Sequence, residues 1–335
     1  MAEQLPLFSN PPVELTELKP TASAPGAQGS AKTALTANAS LRAAIVAWRE
    51  HLRQEGKSEH TVKAFGGDLV LLDRFLDPAR KVLGRITTRD LDNWLQAQRA
   101  GGMSPKSYSR RVTSLKAFFR WLHQTGVLPG DPAAPIIQHT VLSPLPDYLT
   151  EGEVNQALAG AEQLRTGEKA DLRPYVLFTL LLQTGIKKGE CLALVPNHLD
   201  LSNPGEPVLW VRYPDPRQRF KERKLRLDLS WMTVYQAYRA FLDQYEQTSR
   251  RKRSAQRKDF LFPWSARQLE YLLADIQEAA GLTKEISFDT CRWTCAVREA
   301  RAGMDHDKIR QKLGLSKIQW REIGMKLKKL VEPGL

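Results

Sequence analysis

Residues 104–133 read SPKSYSRRVTSLKAFFRWLHQTGVLPGDPA, and this stretch decides the fold of the first half of the chain. Ser104 is a preferred helix N-cap residue and Pro105 suits the first helical position, so a helix begins here. The segment LPGDP at residues 128–132 closes the stretch. Apolar residues recur at spacings of three and four and predict one buried stripe: Tyr108, Val112, Leu115, Phe119 and Leu122.

The opposite face of the same helix is basic. Lys106, Arg110, Lys116 and Arg120 fall within roughly 120° of one another at about 100° per residue, and Arg111 adjoins them. No acidic residue of the helix balances this face, which favours contact with phosphate groups. An ordinary solvated helix face is the alternative, and the sequence leaves it open.

Three further helices are predicted before this one. Leu41, Ile45, Trp48 and Leu52 have helical spacing, and the next helix begins after Ser58. A third helix starts at Thr87 or Thr88 and ends at the Gly101–Gly102 pair, which makes residues 40–138 a compact helical bundle. Residues 1–39 are rich in Pro, Ala, Ser, Thr and Gly, and we predict a disordered tail.

Composition limits the class of protein. The 335 residues suggest two domains, and 50 Lys and Arg against 37 Asp and Glu give a net charge of +13. The tail has one more acidic than basic residue, so the excess positive charge lies in the folded part. No apolar run approaches the roughly 20 residues that a membrane span needs. Three cysteines, a small and odd number, argue against a disulfide framework, and Cys291 and Cys295 are interpreted as small buried residues.

The second half of the chain combines helices with a small sheet. A proline-containing linker is predicted at 139–148, and residues 149–335 form the second domain, where Thr150 and Glu153 have capping-box spacing. Residues 207–229 alternate as strands up to Leu229 and predict a β-hairpin. The predicted fold class is therefore mainly α with a small antiparallel β-sheet. A basic cluster at 250–258 is either a loop or a nucleic-acid-binding patch.

Several fragments together resemble the tyrosine recombinases, the phage integrase or Xer-type family. The resemblance covers about residues 40–330 and is carried by five fragments of the second domain, besides residues 56–76 and 104–133 of the first. These five are YLTEGEV (148–154), LLLQTGIKKGECLAL (180–194), FKERKLRLDL (220–229), ISFDTCRWTCAV (286–297) and KLGLSKIQWREIGMKL (312–327). The resemblance implies an N-terminal helical core-binding (SAM-like) domain followed by a catalytic-type domain.

Members of that family cleave DNA with a tyrosine hydroxyl, helped by arginines, a lysine and histidines that stabilise the phosphoryl transfer. This chain departs from the motifs. The arginine of the TGLRxxE motif is Lys187, and the two histidines of the HxLRH box are Asp289 and Trp293, while its arginine is kept as Arg292. The sheet lysine is Lys221 or Lys224, although the closest alignment places Gln218 there.

Two further positions are changed near the C-terminus. The histidine of the LGH motif is Leu315, and the tyrosine position, eleven residues after the start of that motif, is Gly324. No tyrosine follows Tyr271. Loss of the nucleophile together with the proton donors predicts a DNA-binding protein that does not cleave, so the sequence favours a non-enzyme without excluding an enzyme.

Two alternatives remain. The first is an active recombinase with a displaced or partner-supplied nucleophile. The second is a regulatory subunit of a recombinase assembly, whose C-terminal helix docks onto another copy of this chain or onto another recombinase. Ile323, Met325, Leu327 and Leu330 would form that contact, or would simply pack on their own domain. No cofactor, metal or membrane partner is expected, and the expected location is the cytoplasm, in association with the nucleoid. Double-stranded DNA is the expected partner of these residues: Lys106, Arg110, Arg111, Lys116, Arg120, Lys187, Arg219, Lys221, Arg223, Lys224 and Arg292.

Overall fold

The computed structural model describes residues 35–79, 81–138, 144–168, 170–203, 205–248 and 259–332. The chain divides into two compact units whose boundary lies between Ser143 and Pro144, within the predicted linker. The basic cluster at 250–258, residues 1–34 of the predicted tail and residues 139–143 of the linker lie outside the described residues.

The first unit is built from helices whose starts are fixed by side-chain caps. The hydroxyl groups of Ser58, Thr87 and Ser104 each accept a hydrogen bond from a backbone N–H of the helix that follows, as the sequence predicts. Trp48, Trp94 and four buried residues of the predicted stripe meet in one core. In the described residues of this unit the helices are α1 (Leu41–Gln54), α2 (Glu59–Leu76), α3 (Thr88–Ala100) and α4 (Pro105–Gln124).

The first unit begins earlier than the sequence suggests. The backbone N–H groups of Leu83 and Gly84 donate to the carbonyl oxygens of Ala39 and Ala37 at 3.0 and 2.8 Å. Leu35, like these two alanines, packs against the core of the bundle. Residues 35–39 therefore belong to the folded unit, because they satisfy backbone groups of the loop between α2 and α3; the predicted tail boundary at 39 is corrected.

The second unit holds most of its helices around the apolar helix α6. Phe178, Leu180 and Leu181 are fully buried there, and α5, α8, α9 and α10 all contact this helix or one another. The hydroxyl of Thr150 caps α5 with the predicted capping box. The helices are α5 (Glu151–Thr166), α6 (Leu172–Thr184), α7 (Lys188–Leu192), α8 (Leu229–Thr248), α9 (Ala266–Ala279), α10 (Phe288–Arg301), α11 (His306–Lys312) and α12 (Lys317–Val331).

A three-stranded antiparallel sheet completes this unit: β1 (Leu199–Asp200), β2 (Val208–Val211) and β3 (Arg223–Arg226). In β2 and β3 Leu209 pairs with Leu225 and Trp210 with Lys224, with a 3₁₀ turn between the strands. Leu229 begins α8 instead of ending a strand, which corrects the prediction, because the carboxylate of Asp228 accepts from the backbone N–H of Ser230 at 2.8 Å and starts the helix.

Two further expectations concern the apolar residues. Cys291 and Cys295 are buried, as interpreted from the sequence, and Cys191 is buried as well. Among the described residues, no helix combines the length and the apolar character that a membrane crossing requires.

Candidate functional site

A buried carboxylate, Glu190, lies at the centre of the polar site of the second unit. Helix α6 ends at Thr184, and Gly185 takes a left-handed conformation with φ of 56° that turns the chain towards α7. Glu190 is 6% exposed, and one of its oxygens accepts a hydrogen bond from the backbone N–H of Lys187 at 2.8 Å. The TGIKKGE motif thus forms a tight turn that aims one carboxylate into the interior.

Arg223 of β3 holds that carboxylate with both ends of its guanidinium. Its Nη1 and Nη2 donate to the two oxygens of Glu190 at 3.0 and 2.8 Å, and its Nε donates to the carbonyl of Lys312 at 2.6 Å. Gly314 lies against this guanidinium, since a Cβ there would stand 2.5 Å from Nη1. The hydroxyl of Tyr213 also donates to Glu190. This bidentate geometry is the strongest form of such an ion pair.

The charges of the site shift several pKa values. Burial by itself raises the pKa of Glu190, but the charge and hydrogen bonds of Arg223 outweigh it and leave that pKa at about 2. Burial, and then the neighbouring carboxylate, raise the pKa of Tyr213. Burial, assisted by the charge of Arg292, lowers the pKa of the half-buried Lys187 to about 7. Lys187 is therefore a cation of this site that titrates near neutral pH.

Arg292, in the first turns of α10, is inside the unit. It is 1% exposed, and its two terminal nitrogens donate to the backbone carbonyls of Gly185 and Leu313. Burial lowers its pKa to about 9. Arg292 and Arg223 were both predicted to contact DNA. In the structure both guanidinium groups are enclosed, because they join the α6–α7 region to the end of α11. Direct contact of either with DNA stays a prediction.

Apolar side chains occupy the positions of two family histidines. Trp293 is fully buried and Leu315 is 3% exposed, and both belong to one hydrophobic cluster. Ile323 and Leu327 of α12 enter the same cluster, so this helix packs on its own unit. Met325 points away and is 63% exposed. The positions that would transfer protons in a recombinase serve here as core.

The position of the family tyrosine is covered by an indole ring. A Cβ on Gly324 would lie 3.0 Å from Nε1 and 3.1 Å from Cε2 of Trp320, one helical turn earlier on α12. The ring of His306 contacts the same indole edge-on, with 6.1 Å between ring centroids. A side chain at 324 therefore requires Trp320 to move.

The remaining predicted residues of this unit are more exposed. Lys221 ends the 3₁₀ turn, with its Nζ 5.8 Å from the centroid of the Tyr213 ring, and its charge acts on Lys187. Lys224 lies over the ring of Trp210 at 4.2 Å from the ring centroid. Arg219 is exposed, whereas Gln218 and Asp289 are half-buried. The structure thus gathers Lys187, Lys221, Arg223 and Arg292 near Glu190, and places Lys224 beside Trp210.

In the first unit, a carboxylate from another helix balances part of the basic face of α4. Asp68 of α2 is 2% exposed and accepts from Arg110 Nη2 at 2.9 Å and from Ser114 Oγ at 2.8 Å, with Arg111 Nε 3.4 Å away. The expectation of an unbalanced face is corrected for these two arginines. A signal was present, because Asp68 falls one residue before Leu69 on the buried side of α2.

The other cations of α4 differ in their surroundings. Lys116 Nζ donates to the carbonyls of Ala134 and Ile136 at 3.2 and 2.5 Å. These bonds engage the ammonium group of a residue that was predicted to contact phosphate. Lys106 is half-buried and Arg120 is exposed. These last two are the members of the predicted face that the structure presents most freely.

Comparisons with known proteins agree with this architecture. The family model described as the phage integrase N-terminal SAM-like domain matches residues 45–126, and the model of the phage integrase family matches residues 147–323. Tyrosine recombinase XerC of Mycobacterium bovis (strain BCG / Pasteur 1173P2) is 34% identical over 148 residues, or 44% of this chain and 50% of that protein. XerC of Mycobacterium sp. (strain JLS) is 31% identical over 169 residues, or 48% and 55%.

The matched region spans about half the length of these relatives. Among solved structures, a lambda integrase dimer bound to a COC' core site has a TM-score of 0.61 at 15% identity, covering 84% of this chain and 76% of that one. XerH recombinase bound to a palindromic difH substrate in a post-cleavage complex has a TM-score of 0.62 at 16% identity, covering 85% and 83%.

These structures share the predicted fold class, which is confirmed: mainly helical, with a SAM-like domain, a catalytic-type domain and a small antiparallel sheet. The match of the catalytic-domain model extends over more than half of the residues. The chain therefore belongs to the phage integrase family of tyrosine recombinases.

Proposed function

We propose that this chain binds double-stranded DNA through its tyrosine-recombinase fold and does not cleave it. The observation that carries the proposal is the packing of Trp320 onto Gly324, which fills the space beside the nucleophile position with an indole ring. Strand cleavage by this family requires a hydroxyl that attacks phosphorus, and neither residue supplies one.

Tyr213 is a hydroxyl near the cations of the site, but it is a poor replacement. Its hydroxyl donates a hydrogen bond to Glu190, and burial and that carboxylate raise its pKa, so the reactive phenolate is disfavoured. Tyr271, the last tyrosine of the sequence, is 52% exposed on α9, where its oxygen accepts from Arg267 Nε at 2.6 Å. We therefore expect neither tyrosine to form a covalent link with DNA.

Loss of proton transfer supports the same conclusion. Leu315 and Trp293 carry no group that can protonate a leaving oxygen, and both are enclosed in a hydrophobic cluster. Asp289 would place a negative charge near a scissile phosphate, which is repulsive unless that charge is paired. Stabilisation of the crowded phosphoryl group would depend on cations alone.

DNA binding itself rests on the family and on exposed charge. The relatives are named as recombinases, and solved neighbours of the same fold are bound to DNA. Lys106, Arg120, Arg219 and Lys224 keep at least part of their side chains available. Cations that contact phosphates release counterions, so the affinity falls with rising salt. Such a protein would act in the cytoplasm, on the nucleoid.

The test combines a salt series with a covalent trap. We expect the logarithm of the DNA affinity to fall linearly with the logarithm of salt, and Arg120→Glu to weaken binding several-fold. Arg89→Glu is the matched control, because Arg89 lies on α3 of the same unit and is exposed. Arg110 is unsuitable, since a carboxylate there would face the buried Asp68.

The covalent trap is a nicked suicide duplex incubated with the full chain and analysed on a denaturing gel. We expect no protein–DNA adduct. Binding that is insensitive to salt would refute the DNA-contact part of the proposal, and an adduct formed by the chain alone would refute the loss of cleavage. An adduct that appears only with an added partner recombinase would establish the alternative of a partner-supplied nucleophile.

A second candidate is a regulatory subunit that docks through α12. Ile318 and Met325 are 65% and 63% exposed and stand seven residues apart, on the same side of that helix. The candidate predicts that a recombinase partner binds the chain and that Ile318→Asp together with Met325→Asp abolishes the complex. Light scattering with and without DNA measures the mass of the complex. A monomer under all conditions would exclude self-assembly.

A further inference from the structure

Two adjacent glycines interrupt the middle of α2. Glycine within a helix costs about 1 kcal/mol relative to alanine, so each position needs a reason. Gly66 has one in the fold, because a Cβ there would lie 2.1 Å from Nε of Arg49, whose side chain crosses the helix at this point. Gly67 has none, since no heavy atom beyond its sequence neighbours and the backbone of its own helix lies within 4 Å of the position its Cβ would take. The missing side chain at Gly67 leaves space outside the protein.

That space is the floor of an open concavity lined by five cations. Lys63 and Arg74 lie on the same stripe of α2 as Gly67, four residues before it and seven after it, and are therefore about 16 Å apart along the helix axis. The other three cations come from α1 and α4: Arg49, Arg110 and Arg111. The surface of α2 is therefore concave between the exposed Lys63 and Arg74, and the guanidinium groups of α1 and α4 line one side of this concavity.

The positive charge of the concavity is only partly neutralised. Asp68 is the acidic residue among its lining residues, and it is buried against the two arginines of α4. Within the described ranges, Lys63 and Arg74 take part in no ion pair. In the same part of the chain no acceptor meets the Nε–H of Arg49 or of Arg110. Hydrogen-bond donors are therefore in excess over acceptors, as in a site for an anion.

We propose that this concavity binds a phosphate group, with Gly67 as its floor and Lys63, Arg49 and Arg74 as its rim. The assignment rests on the proposed function, because a phosphodiester of the DNA backbone is the source to which we commit it. The absence of a Cβ at Gly67 lets the phosphate approach the helix surface, and the surrounding cations supply charge-assisted hydrogen bonds. Gly67, Arg49, Lys63 and Arg74 were not among the DNA-contact residues predicted from the sequence.

The experiment compares two glycine variants that change the net charge equally. Gly67→Glu places a carboxylate in the concavity. Gly152→Glu is the control, because Gly152 on α5 also has no atom near its Cβ position and stands between two acidic residues, Glu151 and Glu153, that already pair with Arg298 and Lys284. We expect Gly67→Glu to weaken binding to duplex DNA at least tenfold at moderate salt, and Gly152→Glu to change it less than twofold.

A second variant separates binding from folding. Gly67→Ala adds one methyl group and favours the helix, so the first unit is expected to melt at the same or a higher temperature. Its DNA affinity should nevertheless fall several-fold, because the methyl group occupies the approach of the phosphate. A destabilised fold would lower both quantities together, so this opposite movement identifies the site.

The outcomes distinguish the phosphate site from the proposed function. Equal DNA affinities for Gly67→Glu and Gly152→Glu, in a chain that binds duplex DNA, would overturn the phosphate site alone. Failure of the unmodified chain to bind any duplex would overturn the proposed function. In that case inorganic pyrophosphate is the probe: a rise in melting temperature that depends on Gly67 supports a site for free phosphates, and no rise removes the site as well.

Discussion

Glu190→Gln tests whether the polar centre of the second unit is a structural ion pair. The substitution keeps the size of the side chain and removes its charge. Both guanidinium nitrogens of Arg223 lose a carboxylate partner, and the Tyr213 hydroxyl loses an ionised acceptor. Because the side chain of Arg223 is only 8% exposed, water cannot replace those contacts.

The expected loss of stability follows from the pKa of Glu190. The Arg223 charge and hydrogen bonds overcome the effect of burial and hold that pKa at about 2, against an ordinary value of 4.5 for a glutamate. At 1.36 kcal/mol per pKa unit, this difference corresponds to about 3 kcal/mol. Leaving a buried arginine without its partner costs about 3–5 kcal/mol, which agrees in size.

The pH dependence has a definite sign. The folded state lowers the pKa of Glu190, so its stabilising contribution is fully present above about pH 4.5 and is lost as the pH falls towards 2. Denaturant unfolding at pH 7 should therefore show Glu190→Gln to be about 3–5 kcal/mol less stable, and this gap should narrow in acid.

The control is Glu151→Gln, which breaks an exposed pair with Arg298 at 3.1 Å and should cost less than about 1 kcal/mol. Because the chain has two units, the unfolding of the second unit is followed by its own probe, the hydrogen exchange of the backbone amides of α6 and α10. A Glu190→Gln protein within about 1 kcal/mol of the parent at pH 7 would refute the reasoning.

Three other substitutions have equally specific outcomes. Burial holds the pKa of Lys187 at about 7, so between pH 7 and 10 the unfolded chain binds a proton that the folded chain has lost, and the free energy of unfolding rises by about 1–3 kcal/mol. Lys187→Met should remove this rise, which urea titrations at both pH values measure. Gly324→Tyr should form no adduct with a suicide duplex, because the family histidines are absent and its Cβ would lie 3.0 Å from Trp320 Nε1, so that the indole must shift by a few tenths of an ångström. Leu315→His should cost about 2–4 kcal/mol in thermal unfolding, because it buries a polar ring in an apolar cluster.

Local features of the fold could be predicted from the sequence. Helix starts at Ser58, Thr87, Ser104 and Thr150 depend on a cap residue and its next few neighbours, and all four occur where they were expected. The order of helices around the small sheet follows from the family motifs in the same way. Two ends differ from the prediction: the start of the first unit at residues 35–39, which depends on distant packing, and the start of α8 at Leu229, which follows the local contact of Asp228 with Ser230.

Partners that come from distant elements could not be predicted. Asp68 and Arg110 are 42 residues apart, and Glu190 and Arg223 are 33 apart, so neither helical nor strand periodicity relates them. The motif TGIKKGE contains Glu190 but does not indicate its partner, and Arg223 was predicted as a contact to DNA. Burial changes the role expected of Arg223, because a guanidinium that is paired with a buried carboxylate stabilises the fold and is not available to contact DNA phosphates.

The changed catalytic positions depend on one another in the fold. Leu315 packs with Trp293 in the cluster that receives Ile323 and Leu327, and these residues anchor the helix on which Trp320 covers Gly324. A histidine at 315 loosens the anchor, and a tyrosine at 324 displaces the indole that rests on the same helix. Residues in contact have non-additive effects, so restoring one family residue at a time costs stability without assembling a working set. Under the proposed function we therefore expect cleavage only from a variant that carries the tyrosine, the histidines and a smaller residue at 320 together.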